Sequence, residues 1–214
     1  MVKAKTVKTC GYIGLILFAN SLIIGYIVAQ FDADGFNIFD NDISDLGSIR
    51  NTPIPLLLDF GVMSMSILLI PTVILISKTL KPTSQYSEFS RRKAKRLRIS
   101  QLFYDILGSL GLLIGLIGLF GLGLFSKDRT TELNLHADFA LICFLGIVSG
   151  GFFLGILIVY FRSIFPKILG LYMIIIPPIP FLLLMFGQPP LSPIYEWIMV
   201  ASFCGWLLPV IIIV

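Results

Sequence analysis

A polytopic all-α membrane bundle of six transmembrane helices is the fold class this sequence predicts, and three observations predict it. Residues 9–31, 139–161 and 168–195 contain no Asp, Glu, Lys or Arg. A helix rises about 1.5 Å per residue, so about 20 apolar residues cross the hydrocarbon layer, and each run is long enough. Hydrophobic residues make up 57% of the 214-residue chain, charged residues 13%, and mean hydropathy is +0.95. Soluble domains carry about 25% charged residues, so this composition excludes one. Finally, the charges gather almost entirely between the apolar runs, and the connections alternate in character along the chain.

The first span is placed at 9–30, behind Lys3, Lys5 and Lys8. Its apolar part exceeds the about 7–15 residues of a cleavable signal sequence and no A-x-A site follows, so it reads as a retained span. The connection 31–53 holds Asp32, Asp34, Asp40, Asp42 and Asp45 against a lone Arg50. Span two, 54–77, contains Pro71, which a membrane helix tolerates as a kink. The connection 78–100 is strongly basic, with Lys78, Lys81, Arg91, Arg92, Lys93, Lys95, Arg96 and Arg98, and residues 88–98 read as an extension of the third helix.

Span three, 101–125, repeats glycine at 108, 111, 115, 118, 121 and 123; span four, 137–160, carries Gly146, Ser149, Gly150, Gly151 and Gly155. Small residues four apart let membrane helices approach closely, and the short mixed connection 126–136 predicts that these two spans form an antiparallel hairpin. Homo-oligomerisation through one of the glycine faces is the alternative use. Span five, 168–186, holds Pro177, Pro178 and Pro180; proline lacks the backbone donor and clashes one turn back, so the helix must bend there. Span six, 194–214, completes the bundle.

Cytoplasmic connections concentrate Lys and Arg. With the N-terminus inside, thirteen of the sixteen basic residues are cytoplasmic, leaving Arg50, Lys127 and Arg129 outside. Six spans then put both termini in the cytoplasm, in a single domain of the plasma membrane. The basic cluster next to a bilayer is explained by orientation and lipid head groups, and the net charge of +4 does not call for nucleic acid. No repeat relates the first three spans to the last three, which counts against a transporter. Cys10, Cys143 and Cys204 show no metal-type spacing and behave as small apolar groups where they fall in spans.

An ionisable group at the centre of a membrane span costs about 2.5–3.5 kcal/mol, so each such group needs a reason. Asp105 lies at the inner end of span three, where a local salt bridge to the basic cluster accounts for it. Asp45, Asp59, His136, Asp138 and Glu196 all fall toward the outer boundary, with Ser44 among them. Three kinds of chemistry fit this set. A histidine with carboxylates is the donor set for a divalent metal such as zinc that activates water. Ser44, His136 and a carboxylate are the parts of a nucleophilic site for a lipid ester. A buried carboxylate beside a histidine suits a proton relay in a small transporter. The plainer reading, preferred because no signature such as H-E-x-x-H occurs, makes Asp138 and Glu196 helix-start residues and leaves Asp59 held by hydrogen bonds.

Ile43-Ser44-Asp45-Leu46-Gly47, then Asn51 and Leu58-Asp59-Phe60-Gly61, then Leu135-His136-Ala137 form a pattern. It resembles the prokaryotic six-helix membrane family catalogued as domain of unknown function 998, which shows a Ser-acid-Leu-Gly motif after the first span and a histidine opening the fourth. That family is itself distantly similar to the Frag1/DRAM/Sfk1 group, tied to membrane-lipid handling. The resemblance implies that Ser44–Gly47 and His136 meet in space and that membrane lipids are the partners. The expected function is therefore binding or handling of lipid at the outer face, with an outward-facing hydrolase and a proton-coupled transporter as alternatives.

Overall fold

The computed structural model describes residues 4–31, 35–80, 90–161, 163–186 and 192–214. Lys3, Asp32, Asp34, Lys81, Glu88, Arg162 and most of the last connection, on which some of the expectations above fall, lie outside the described residues. The chain is an all-helical membrane bundle. Helix α1 runs Ala4–Ala29, α2 Leu56–Leu80, α3 Arg91–Leu124, α4 Leu135–Tyr160, α5 Lys167–Ile175, α6 Pro178–Phe186 and α7 Ser192–Ile213. With α5 and α6 counted as one broken span, six helices among the described residues are long and apolar enough to cross a membrane. No strand occurs among the described residues.

The basic extension is present: α3 begins at Arg91 and its 34 residues reach about 50 Å, far beyond the hydrocarbon thickness. Arg91, Arg92, Lys93, Lys95, Arg96 and Arg98 are all exposed along its first turns. The fifth span breaks at Ile176 and Pro177, between α5 and α6, where the prolines remove consecutive backbone donors. Lys8 closes the far end of α7 by donating to the Ile212 carbonyl at 2.7 Å, a cation on carbonyls that have no partner within their own helix.

The glycines of α3 are used inside the chain. A Cβ on Gly111 would sit 2.8 Å from Gly150 Cα, and those on Gly118 and Gly146 would strike the backbones of Cys143 and Gly115. The antiparallel α3–α4 hairpin is thus packed backbone to backbone, as the small-residue spacing predicts. Gly155 and Gly170 repeat the device between α4 and α5. Leu112, Leu116, Leu154, Leu157, Ile158 and Trp206 fill the centre. Ile16, Ile23, Ile67, Ile117 and Ile142 face outward, the distribution of a protein solvated by lipid.

The chain order gives the bundle two unlike ends. The basic end carries the start of α3. The acidic end carries the segment 35–55, the α3–α4 connection and the start of α7. Near the basic end Asp105 accepts hydrogen bonds from Ser77 at 3.1 Å and Ser109 at 3.4 Å, and Gln101 donates to the Leu80 carbonyl at 2.8 Å. At the acidic end Tyr26, Phe36 and Trp197 meet edge to face, and the Trp197 indole N–H donates to the Asn41 carbonyl at 3.0 Å. These contacts fold the acidic segment down over the mouth of the bundle.

Candidate functional site

Ile43–Gly47 forms one short 3₁₀ turn and Lys127–Arg129 another, and the two lie against each other over the acidic end. Their ion pairs fix the geometry. Lys127 Nζ reaches Asp42 at 2.9 Å and Asp45 at 2.6 Å. The second Asp45 oxygen accepts the Asp42 backbone N–H at 2.9 Å, closing the turn on itself. Burial alone would lower the Lys127 pKa, but the hydrogen bonds and charges of Asp45 and Asp42 outweigh it and hold the ammonium above the ordinary lysine value. Asp128 accepts from the Ser48 hydroxyl at 2.8 Å and from the Ile49 backbone N–H, clamping the turn that follows.

Asp59, one turn into α2, is the deep charge of the site, with its side chain 3% exposed. Arg129 meets it at 2.5 Å and uses the same terminal nitrogen on the Gly123 carbonyl at 3.0 Å, while its Nε donates to Leu124 at 3.3 Å. The guanidinium therefore neutralises Asp59 and caps the end of α3 together. Ser126 lies next to Asp59; its Oγ is buried and has no hydrogen-bond partner within ordinary geometry.

His136 occupies the first turn of α4, one residue after its start. Its Nδ1 lies 2.8 Å from the Phe125 carbonyl. A carbonyl only accepts, so Nδ1 carries the proton and Nε2 keeps its lone pair. Glu196, in the first turns of α7, faces the Ile43 backbone N–H, and no salt bridge joins it to a cation among the described residues.

Asp42, Ser44, Asp59, Ser126, Lys127, His136 and Glu196 all line one cavity of about 310 Å³, whose deeper wall is Phe18, Leu58, Val62, Leu119, Leu122, Phe144, Leu184 and Val200. Phe18, Leu119, Phe144 and Val200 also wall a second, smaller and almost wholly apolar cavity that continues toward Leu112 and Trp206. Phe18 and Val200 further border a groove of about 370 Å³ between α1 and α7, lined by Tyr12, Leu15, Ile16, Leu22, Trp197 and Leu208. A polar chamber at the acidic end thus shares walls with an apolar interior and with a groove on the bundle's side.

Of the residues picked from the sequence, Ser44, Asp59, His136 and Glu196 converge on this cavity, and Asp45 supports it from behind through Lys127. Asp138 is exposed in the first turn of α4 and takes no part. The set does not fit a divalent metal. Asp45 and Asp59 are taken by cations, and among the described residues no three His, Cys, Asp or Glu side chains are placed to hold a metal ion. No hydrogen bond between Ser44 and His136 is formed among the described residues either, and that is the first requirement of a nucleophile and its base. Sequence reasoning passed over Lys127, Asp128 and Arg129. The signal was present: a Lys-Asp-Arg run at a connection sharing an end with five aspartates.

Comparison with family models, curated proteins and solved structures finds no match. The reading of function therefore rests on the site.

Proposed function

We propose that this protein binds an amphiphile of the membrane, most simply a lipid, with its head in the acidic-end cavity and its chain in the groove of about 370 Å³ between α1 and α7, beside the small apolar cavity of about 70 Å³. The observation that carries the reading is the set of shared walls. Phe18 and Val200 border the polar chamber, the apolar cavity and the α1–α7 groove alike. A ligand with one wet end and one oily end satisfies all three surfaces, and a pocket of about 300–1,000 Å³ is the usual scale for such sites. In the orientation the basic residues favour, the α3 extension is cytoplasmic and the cavity opens at the outer leaflet of the plasma membrane. Lipid reaches it sideways between α1 and α7.

The chain has two tryptophans, which makes the test direct. In a Trp197→Phe background the remaining Trp206 is 2% exposed and lines the apolar cavity. Phospholipids with dibrominated acyl chains, in nanodiscs, should quench Trp206 strongly as the chain enters. Val200→Phe, which fills the junction of the three spaces, should restore most of the emission. Equal quenching with and without the Val200→Phe substitution would refute the reading.

One observation supports a second reading, hydrolysis of the bound amphiphile. His136 Nε2 keeps a lone pair in a cavity that Ser44 also lines. Covalent labelling of Ser44 by a lipophilic fluorophosphonate, abolished in His136→Ala, would support it; an unlabelled Ser44 would remove it.

A further inference from the structure

The cavity's charges are unbalanced, and the imbalance points to a head group. Arg129 cancels Asp59. Lys127 is shared between Asp42 and Asp45, so one cation serves two carboxylates. Glu196 lines the same cavity with no cation of its own among the described residues. With His136 holding its proton on the Phe125 side, the cavity surface offers acceptors: the Glu196 and Asp42 carboxylates, His136 Nε2 and the Ser44 oxygen.

Ser126 is an independent sign that something belongs here. It lines the cavity beside Asp59, is 2% exposed, and its Oγ faces that carboxylate without reaching full hydrogen-bonding geometry with any partner among the described residues. A buried hydroxyl so loosely held gains about 1 kcal/mol from a guest or water that completes its hydrogen bonding. The divalent-metal alternative fails on geometry, since the carboxylates do not group as ligands among the described residues. An organic cation needs no such convergence, only acceptors spread over a chamber of its own size.

We infer that the acidic-end cavity takes the primary ammonium of an amphiphile's head group, held by Glu196 and Asp42 with His136 Nε2 and the serine hydroxyls completing its hydrogen bonds. An ammonium has three donors and no acceptor, complementary to this surface. An anionic head of the same size meets more carboxylates than cations, because the one lysine on the wall among the described residues, Lys127, is already shared between Asp42 and Asp45. Asp59, neutralised by Arg129, lies on the chamber wall, and Lys127 on the same wall sets the spacing of Asp42 and Asp45.

The inference rests on the lipid-binding reading, and one experiment separates the two. Two phospholipids with identical dibrominated chains, one with an ethanolamine head and one with a glycerol head, are titrated against the Trp197→Phe protein in detergent micelles. Both carry a phosphate, and the ammonium of one is replaced by the uncharged diol of the other. The ethanolamine lipid should quench Trp206 at about tenfold lower concentration, the scale of one charge-assisted hydrogen bond net of desolvation. Glu196→Gln, which keeps shape and removes charge, should bring the two lipids to parity while thermal unfolding shows the variant folded. Equal quenching by both heads in the parent protein would overturn the ammonium assignment and leave lipid entry standing. Quenching by neither would overturn both. Retention of the tenfold preference in Glu196→Gln would overturn the role of Glu196. Free ethanolamine that binds as tightly as the lipid, by calorimetry, would make the ligand a soluble amine and overturn the amphiphile.

Discussion

Arg129→Gln is the substitution that tests the site's framework most severely. Asp59 has a side chain 3% exposed and depends on a guanidinium that is itself 41% exposed. Removing one partner of a buried pair costs about 3–5 kcal/mol, because the charge left behind is desolvated and unpaired. The partial exposure of Arg129 lets water reach some of the vacated space, which pulls the value to the lower end. Loss of its bonds to the Gly123 and Leu124 carbonyls adds about 1 kcal/mol. The expected total is about 4 kcal/mol, or a fall of about 8–16 °C in unfolding midpoint for a chain of this length. Asp59→Asn removes the buried charge and should cost much less, about 1 kcal/mol. The double variant should sit near Asp59→Asn plus the lost cap, about 2 kcal/mol, so the cycle shows a coupling of about 3 kcal/mol. Unfolding in mixed micelles followed by Trp206 emission measures all four proteins. Additive costs, or a loss below about 1 kcal/mol for Arg129→Gln, would refute the view that Arg129 neutralises Asp59.

Three more outcomes follow from the same geometry. Lys127→Ala frees Asp42 and Asp45 and should raise hydrogen exchange across Ile43–Gly47 about tenfold, with a global cost of only about 1 kcal/mol because the bridge is half-exposed. Since the folded Lys127 pKa lies above its ordinary 10.5, the bridge contributes in full below the unfolded value and is lost as pH rises through the folded one. Protection of that turn, corrected for intrinsic exchange, should fall only in that alkaline window, and a fall near neutral pH would contradict it. Gly118→Leu drives a side chain into the Cys143 backbone and should cost about 3 kcal/mol or more in thermal unfolding; a near-neutral result would mean α3 and α4 are not packed this closely. His136→Ala should lower stability by about 1 kcal/mol through the lost bond to Phe125, with zinc content at background in both proteins by elemental analysis. One equivalent of zinc in the parent, absent from the variant, would reinstate the metal reading.

Much of this architecture is legible in the order of residues alone. Predominantly apolar runs of bilayer length name six spans because lipid offers no hydrogen bonds to an unpaired backbone, so each run must be a helix. Gly111, Gly115, Gly146 and Gly150 announce the α3–α4 hairpin through their spacing, and Pro177 and Pro178 announce the break between α5 and α6 through chemistry local to those residues. Span count and chain direction also place Ser44, Asp59, His136 and Glu196 at one end. Which of them face each other is not legible. That depends on how α2, α4 and α7 rotate about their own axes, which packing against neighbours settles, and apolarity on every face of a membrane helix leaves little periodic signal. The partners of Asp45 and Asp59 lie in a connection of mixed charge that periodicity cannot read. Composition thus determined that the chain lives in oil and which end is acidic, since both follow from summing local transfer energies. Only the folded bundle decided that Lys127 and Arg129 claim three of the acids, that Glu196 is left without a cation among the described residues, and that a polar chamber shares walls with an apolar one, because those are properties of distances between residues far apart in the chain.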